Sequence, residues 1–363
     1  ALALAAPHFT GWVSKLMAAY PRPEDLPTVI PSAVRHGAAL SLRAGTTTLG
    51  DVSRAADLSR AALAQPGDTI RVGSFGEVVS LGTMRDRLQP LLDAATDRRH
   101  ASERLHIGIS PHAPYTVEST ALRVIVRRAR EGRFPMTMHL AELAEEATFL
   151  RDLSGPLGRE WEVMNGKSPV IDAHIPCCPE ISGPLEWADL QGLLDAARPA
   201  DGSPGIPVLL AHVNYCEDAD LFRLAGSGAS VVYCPRTRAY FGHDRVSPHR
   251  YRDMLEAGIN VCLGTDSLAS NPDMSVLHEA RFLRRRDGMP AVTLLDMITR
   301  RGVLGLGLTA DAGAIAPGRA ADILVFTLDD ATFRHSRPEP LAAALLDSAA
   351  EPAAIYLAGK KLL

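Results

Sequence analysis

The chain has 363 residues, 46 % of them hydrophobic and 22 % charged, which excludes a disordered or fibrous protein and leaves room for a barrel of about 250 residues plus an appended unit. Its formal net charge of −4, with dispersed arginines, argues against a nucleic-acid partner. No apolar run reaches the ~18 residues that span a bilayer, and the opening ALALAAP is too short and uncharged for a complete signal peptide, so no membrane partner and a cytoplasmic setting are expected.

Seven short β-branched, apolar runs recur along the chain: GTTTLGDVS from Gly45, IRVGSFGEVVS from Ile70, HIGISPHAPYT from His106, PMTMHLAE from Pro135, IPVLLAHVNY from Ile206, ASVVYCPRT from Ala229 and NVCLGTDS from Asn260. Helix-like segments such as Ser119 to Glu131, Asp218 to Gly226 and His249 to Ala257 lie between them, the alternation of βα units around a parallel sheet. Leu150 to Pro207 reads as an insertion, a lid or an elaborated βα loop. After Ala312, GAIAPGRAADILVF and PAAIYLAGKKLL read as two strand-like runs separated by a polar stretch. The expected organisation is a barrel over residues 1–311 and a small β appendage over 312–363. Five scattered cysteines without a C-x-x-C pair fit neither a disulfide framework nor a zinc knuckle, and the adjacent Cys177 and Cys178 read as spectators.

Several runs end in chemically capable residues, which is where a parallel barrel builds its active site. His139 and Glu142, in HLAE after PMTM, place an imidazole and a carboxylate where both can face one ligand. Alone, H-x-x-E is an ordinary surface or core pair. Its weight comes from His212, ending LLAH, and Asp266, in GTDS, so that three strand ends offer His, His and Asp. Asp266 alone would equally be a helix N-cap with Ser267. His112 and Tyr115, in SPHAPYT, are placed to bond or stack on a substrate, or to serve as a satisfied polar group and a packing ring. Arg236, Arg238 and His243, in CPRTRAYFGH, are candidate specificity residues or members of a solvated loop.

In this order, HAPYT, TMHLAE, LLAHVN, VYCPRT, LGTDSLASNP and GAIAPGRAADILVF resemble the cytosine deaminase and chlorohydrolase branch of the amidohydrolase superfamily over nearly the whole chain. The resemblance is strongest to its aminodeoxyfutalosine deaminases and methylthioadenosine or S-adenosylhomocysteine deaminases. It implies a (β/α)8 TIM barrel with a small β-sandwich appendage, and one divalent metal ion, zinc or else iron. His139 and Asp266 would be ligands, and His212 would polarise substrate or water or join the ligands. Glu142 would shuttle protons, Asp266 would also accept a proton, and His112, Tyr115, Arg236, Arg238, His243 and Ser267 would meet the substrate.

The resemblance has two departures. The family carries an H-x-H pair at the end of its first strand, and nothing before His36 has that spacing. His8, in APHFTGW, resembles the segment that follows the pair, so a first strand and the first half of the sandwich are expected to be absent from this sequence. Arg238 stands where relatives often place His or Asn. The expected activity is hydrolytic deamination of an aminated heterocycle, with adenine nucleoside derivatives preferred, and the expected partners are that small-molecule substrate and a second copy of the chain in a homodimer. The alternatives are a chlorohydrolase, a cyclic amidohydrolase, or a non-catalytic binding barrel.

Overall fold

The computed structural model describes residues 9–65, 70–165, 180–198, 201–308, 312–328 and 337–362. His8, Cys177 and Cys178 lie outside them. All seven expected runs form strands: β1 (Thr48–Ser53), β2 (Arg71–Val78), β3 (Leu105–Pro111), β4 (Met136–Leu140), β5 (Val208–His212), β6 (Ser230–Tyr233) and β7 (Asn260–Leu263). They pair in chain order as one parallel sheet, with Glu77 opposite Ser110, His139 opposite Ala211 and Leu140 opposite His212.

Helices α1 (Phe9–Ala19) and α2 (Leu26–Arg43) precede the sheet. Along it run α3 (Ala56–Leu63), α4 (Leu88–Thr96), α5 (Ser119–Gly132), α6 (Glu146–Asp152), α7 (Gly155–Asn165), α8 (Pro184–Leu190), α9 (Asp218–Ser227), α10 (Pro235–Phe241) and α11 (Tyr251–Glu256). Then come α12 (Val276–Asp287), α13 (Ala291–Met297), α14 (Arg300–Gly305) and α15 (Pro338–Asp347). This is the (β/α)8-barrel architecture, with seven parallel strands among the described residues. None of these helices is long and apolar enough to cross a membrane.

Strand alternation sorts the side chains. On β4, Met136, Met138 and Leu140 are fully buried in the large cluster shared with the helices, while Thr137 and His139 point the other way, into the barrel. A second, smaller cluster fills the interior: Phe75, Leu209 and Cys262 from three strands, with Val303, Leu306, Leu308 and Ala312. Gly108 makes room for it, since a Cβ there would lie 2.5 Å from the Phe75 ring. Between strands and helices, the buried Arg60 guanidinium donates to Ser74 Oγ and to the carbonyls of Ser74, Ala94, Ala95, Asp97 and Gly108, locking α3 and α4 onto β2 and β3.

Two expectations change in detail. Within the supposed insertion, residues 180–198 are packed structure: Leu185, Leu193 and Leu194 are in the core, and the buried Trp187 donates Nε1–H to Ser119 Oγ at 2.9 Å. At the C-terminal end, β8 (Ile323–Val325), β9 (Ala354–Leu357) and β10 (Lys360–Lys361) form an antiparallel sheet, and helix α15 occupies the stretch that reads as merely polar. Its alanines and leucines are interspersed with few charges, and it packs on α12 and α13.

Candidate active site

The C-terminal ends of β2 to β5 and β7 bring a set of titratable side chains into one mouth. His139 reaches it by alternation on β4, and its Nδ1–H donates to the carbonyl of His112 at 3.0 Å, so that Nε2 keeps its lone pair. The same alternation on β5 would send His212 outward with Val208 and Leu210. Instead the backbone turns left-handed, with φ of 72° at His212 and 45° at Val213, and the His212 ring stacks on that of His139 with centroids 5.5 Å apart. Ala141 (φ 51°) and Asp266 (φ 56°) adopt the same sparsely populated conformation. Non-glycine strain of this kind, worth about 1–3 kcal/mol per residue, is concentrated at the site and must be offset by the surrounding bonds.

Those bonds are present. Glu146, fully buried at the start of α6, accepts from the backbone N–H groups of Ala141, Glu142 and Leu143 at 2.9, 2.7 and 3.0 Å. Asn214 donates to the carbonyl of Glu142 at 3.1 Å, and His249 donates to the carbonyl of His212 at 2.9 Å while lying flat on Tyr233. Ser270 donates to Asp266 Oδ2 at 2.9 Å, and Asn271 donates to the carbonyl of Thr265 and to Glu279.

Glu142 is buried, with Oε1 3.6 Å from His212 Nε2 and Oε2 3.5 Å from the Tyr115 hydroxyl. Burial lifts its carboxyl to about 7, with His139 pulling down and Asp266 pushing up. Burial also holds His212 below its ordinary value, against the pull of Asp266, and holds His112 well below it, helped by His139 and Arg54. The site therefore carries neutral imidazoles beside a carboxyl poised near neutrality, a pattern suited to moving protons at pH 7.

The chemistry of the donors fits a divalent metal ion in kind. His139 offers Nε2 with a carbonyl behind its other nitrogen, His212 is held toward its uncharged form, and Asp266 has one carboxylate oxygen bonded to Ser270 and the other without a hydrogen-bond partner among the described residues. Among the described residues, no group of three or more His, Cys, Asp or Glu side chains is spaced to hold an ion by itself.

The expected specificity residues divide. His112 and Tyr115 line the mouth, their rings edge-to-face at 5.9 Å. His243 lies beside it, with Nδ1 3.0 Å from the Tyr215 hydroxyl and a buried Nε2 that has no hydrogen-bond partner among the described residues; burial first, then Arg238 and His212, depress it to about 4. Arg236 and Arg238 are committed to the scaffold. CPRTRAYF is not a loop but helix α10, with Pro235 in its first turn and Gly242 closing it at φ 73°. Arg236 binds Glu279 and Asp273, and the fully buried Arg238 binds Asp244 and the carbonyls of Asn214, His243 and Ser247. Ser267 is exposed on the turn after Asp266, and no helix begins there.

Sequence reasoning missed Glu77 and Glu146. Glu77 ends β2 on the interior face, with Oε1 3.3 Å from Arg54 Nε and Oε2 4.0 Å from His112 Nε2. Its signal is a lone carboxylate at the end of an apolar strand run, the same signal that marks His139 and Asp266.

A profile of the amidohydrolase family matches residues 12–360. The 5-methylthioadenosine/S-adenosylhomocysteine deaminase of Halobacterium salinarum is 31 % identical over 313 residues, 82 % of this chain and 63 % of that protein, so the chain spans less than two thirds of that curated relative's length. The crystal structure of Helicobacter pylori aminofutalosine deaminase superposes with a TM-score of 0.77 at 19 % identity, over 98 % of this chain and 81 % of that one. An adenosine deaminase from Xanthomonas campestris, crystallised with bound zinc, superposes with a TM-score of 0.69 at 21 % identity, over 97 % and 72 %. At these identities the two solved structures establish the fold.

Proposed function

This chain belongs to the amidohydrolase family, and on that premise we propose that it is a metal-dependent hydrolytic deaminase of an aminated heterocycle, with adenine nucleoside derivatives as its substrate class. The observation that carries the reading is Glu142: a buried carboxyl lifted to about 7, between the Tyr115 hydroxyl and His212 Nε2, on the strand end that also presents His139. The similarity to a methylthioadenosine/S-adenosylhomocysteine deaminase supports the substrate class.

His139, Asp266 and, as a further ligand, His212 would hold the ion, zinc or iron. A divalent ion bound there lowers the pKa of a water enough for it to attack near neutral pH. The overall change is the addition of water to the ring carbon that bears the amine, followed by cleavage of the C–N bond to give a ring carbonyl and ammonia. Glu142 takes a proton from the incoming water and delivers it to the adjacent ring nitrogen; the second water proton leaves with the ammonia. His212 Nε2, beside Glu142 Oε1, would orient the attacking oxygen where it is not itself a ligand, and Asp266 serves as a second proton acceptor. His112 and Tyr115 hold the ring, while Arg236 and Arg238 act as positioning residues for the turns behind His243 and Asp266.

The test is a screen for ammonia and chloride release over aminated purine nucleosides, pyrimidines and chlorinated triazines, with metal analysis of the same preparation. Ammonia from adenine nucleosides, lost in Glu142→Ala, supports the reading. Chloride release without ammonia, or an absence of both metal and turnover, overturns it.

A further inference from the structure

Beyond the residues that move protons, we propose that Glu77 and His112 form a two-acceptor clamp that reads a group on the ligand carrying two neighbouring N–H or O–H donors. This inference rests on the reading of the mouth as a substrate site. Glu77 shares the interior face of β2 with Phe75: Phe75 lies in the barrel plug, and Glu77, two residues later, reaches the mouth. His112 follows β3 immediately alongside, held there by the bond from its N–H to the Val78 carbonyl at 3.1 Å.

Hydrogen bonds fix which atoms the pair presents. The Thr116 hydroxyl donates to the Ala113 carbonyl at 3.1 Å, so its oxygen accepts from His112 Nδ1–H at 2.7 Å, and His112 Nε2 carries a lone pair. On Glu77, Oε1 is turned to Arg54 and Oε2 to His112. Two acceptors thus face each other at 4.0 Å, too far for a bond of their own and repelling unless donors enter between them. The Glu77 side chain is 9 % exposed, so bulk water satisfies little of it. Burial accordingly raises its carboxyl above the ordinary value, against Arg54 and His139. The buried Glu77 carboxylate and the partly exposed His112 ring, 27 % exposed, gain more from a ligand that brings two donors than from one that brings none, which is a means of selecting a ligand.

The clamp is tested in the metal-loaded protein carrying Glu142→Ala, which binds without turnover, by calorimetric titration of adenosine and 2′,3′-dideoxyadenosine before and after adding Glu77→Gln. The amide keeps the shape of the side chain and replaces one acceptor oxygen with a donor, so the pair no longer presents two acceptors. The expected result is a dissociation constant raised about 10- to 100-fold. Weakening confined to adenosine identifies adjacent hydroxyls as the donors; equal weakening of both probes identifies the ring amine. Glu77→Asp, which withdraws the carboxylate by one methylene, reads the same effect if the Gln variant folds poorly. Unchanged affinity for both probes in a folded Gln or Asp variant overturns the clamp. Glu77-dependent binding by a protein whose wild type releases no ammonia would leave the clamp standing and the deaminase reading fallen; ammonia release with affinity indifferent to Glu77 would do the reverse.

Discussion

Glu142 Oε1 and His212 Nε2 face each other at 3.6 Å with both side chains at most 7 % exposed, so a proton on the carboxyl is kept from bulk water and passes among the groups that line the mouth and the ligand. Glu142→Gln preserves the shape and removes the carrier. It should lower kcat by about 10²- to 10⁴-fold while leaving KM within a few-fold and the metal content unchanged. His139→Ala, in contrast, should strip the metal, measured by elemental analysis after gel filtration. A Gln variant with more than a tenth of wild-type kcat would remove Glu142 from the mechanism.

Arg238 holds Asp244 and three backbone carbonyls with a fully buried guanidinium. Replacing it with Ala strands these acceptors and should cost about 3–5 kcal/mol of stability in denaturant titration. Arg238→Lys should recover less than half of that loss, because a single ammonium cannot reproduce the planar fork. Full rescue by Lys would mean that charge alone, rather than the fork, ties the wall together.

Glu146 gives stability a pH dependence of definite sign. Burial lifts its carboxyl from 4.5 to about 8, with Glu142 adding to the rise and the backbone N–H groups opposing it. Between those values the folded chain keeps a proton that the unfolded chain has released, so this contribution is whole below about 4.5 and is lost as pH rises through about 8. Thermal midpoints of the wild type should therefore fall from pH 5 to pH 8 more steeply than those of Glu146→Gln. Parallel slopes would show that Glu146 is ionised in the folded state at neutral pH.

Gly76 precedes the clamp carboxylate and lies against α4: a Cβ there would sit 2.6 Å from the Ala95 Cα, an atom of backbone that cannot rotate aside. Gly76→Ala should lose about 1–3 kcal/mol of stability by forcing helix from strand. Because the displaced strand carries Glu77, affinity for adenosine should fall in the same variant. A variant as stable as the wild type would show that α4 shifts without cost.

The barrel was legible because its strands are built of β-branched runs cut off by polar residues, and that same punctuation exposed His139, Glu142, His212 and Asp266. What the runs did not reveal follows from contacts distant in sequence. Arg238 reads as a solvated cation because the carbonyls that bury it come from residues 214 to 247, and nothing in CPRTRAYF announces them. Glu77 reads as the rim of an apolar strand, since only the register with β3 sets it against His112. Alternation on β5 even points the wrong way for His212, and only the left-handed backbone at its end corrects it.

The anchorage of Arg238 also bears on how the molecule breathes. Segments that follow β5 and α10 converge on one side chain, so this wall of the mouth has no independent parts to loosen one at a time. Amide protons from Asn214 to Ser247 should then exchange as a single cooperative unit, and a ligand that requires a wider entrance must wait for that whole unit to open. Entry of bulky molecules would be governed by a rare event in the wall, at a rate that their concentration does not set.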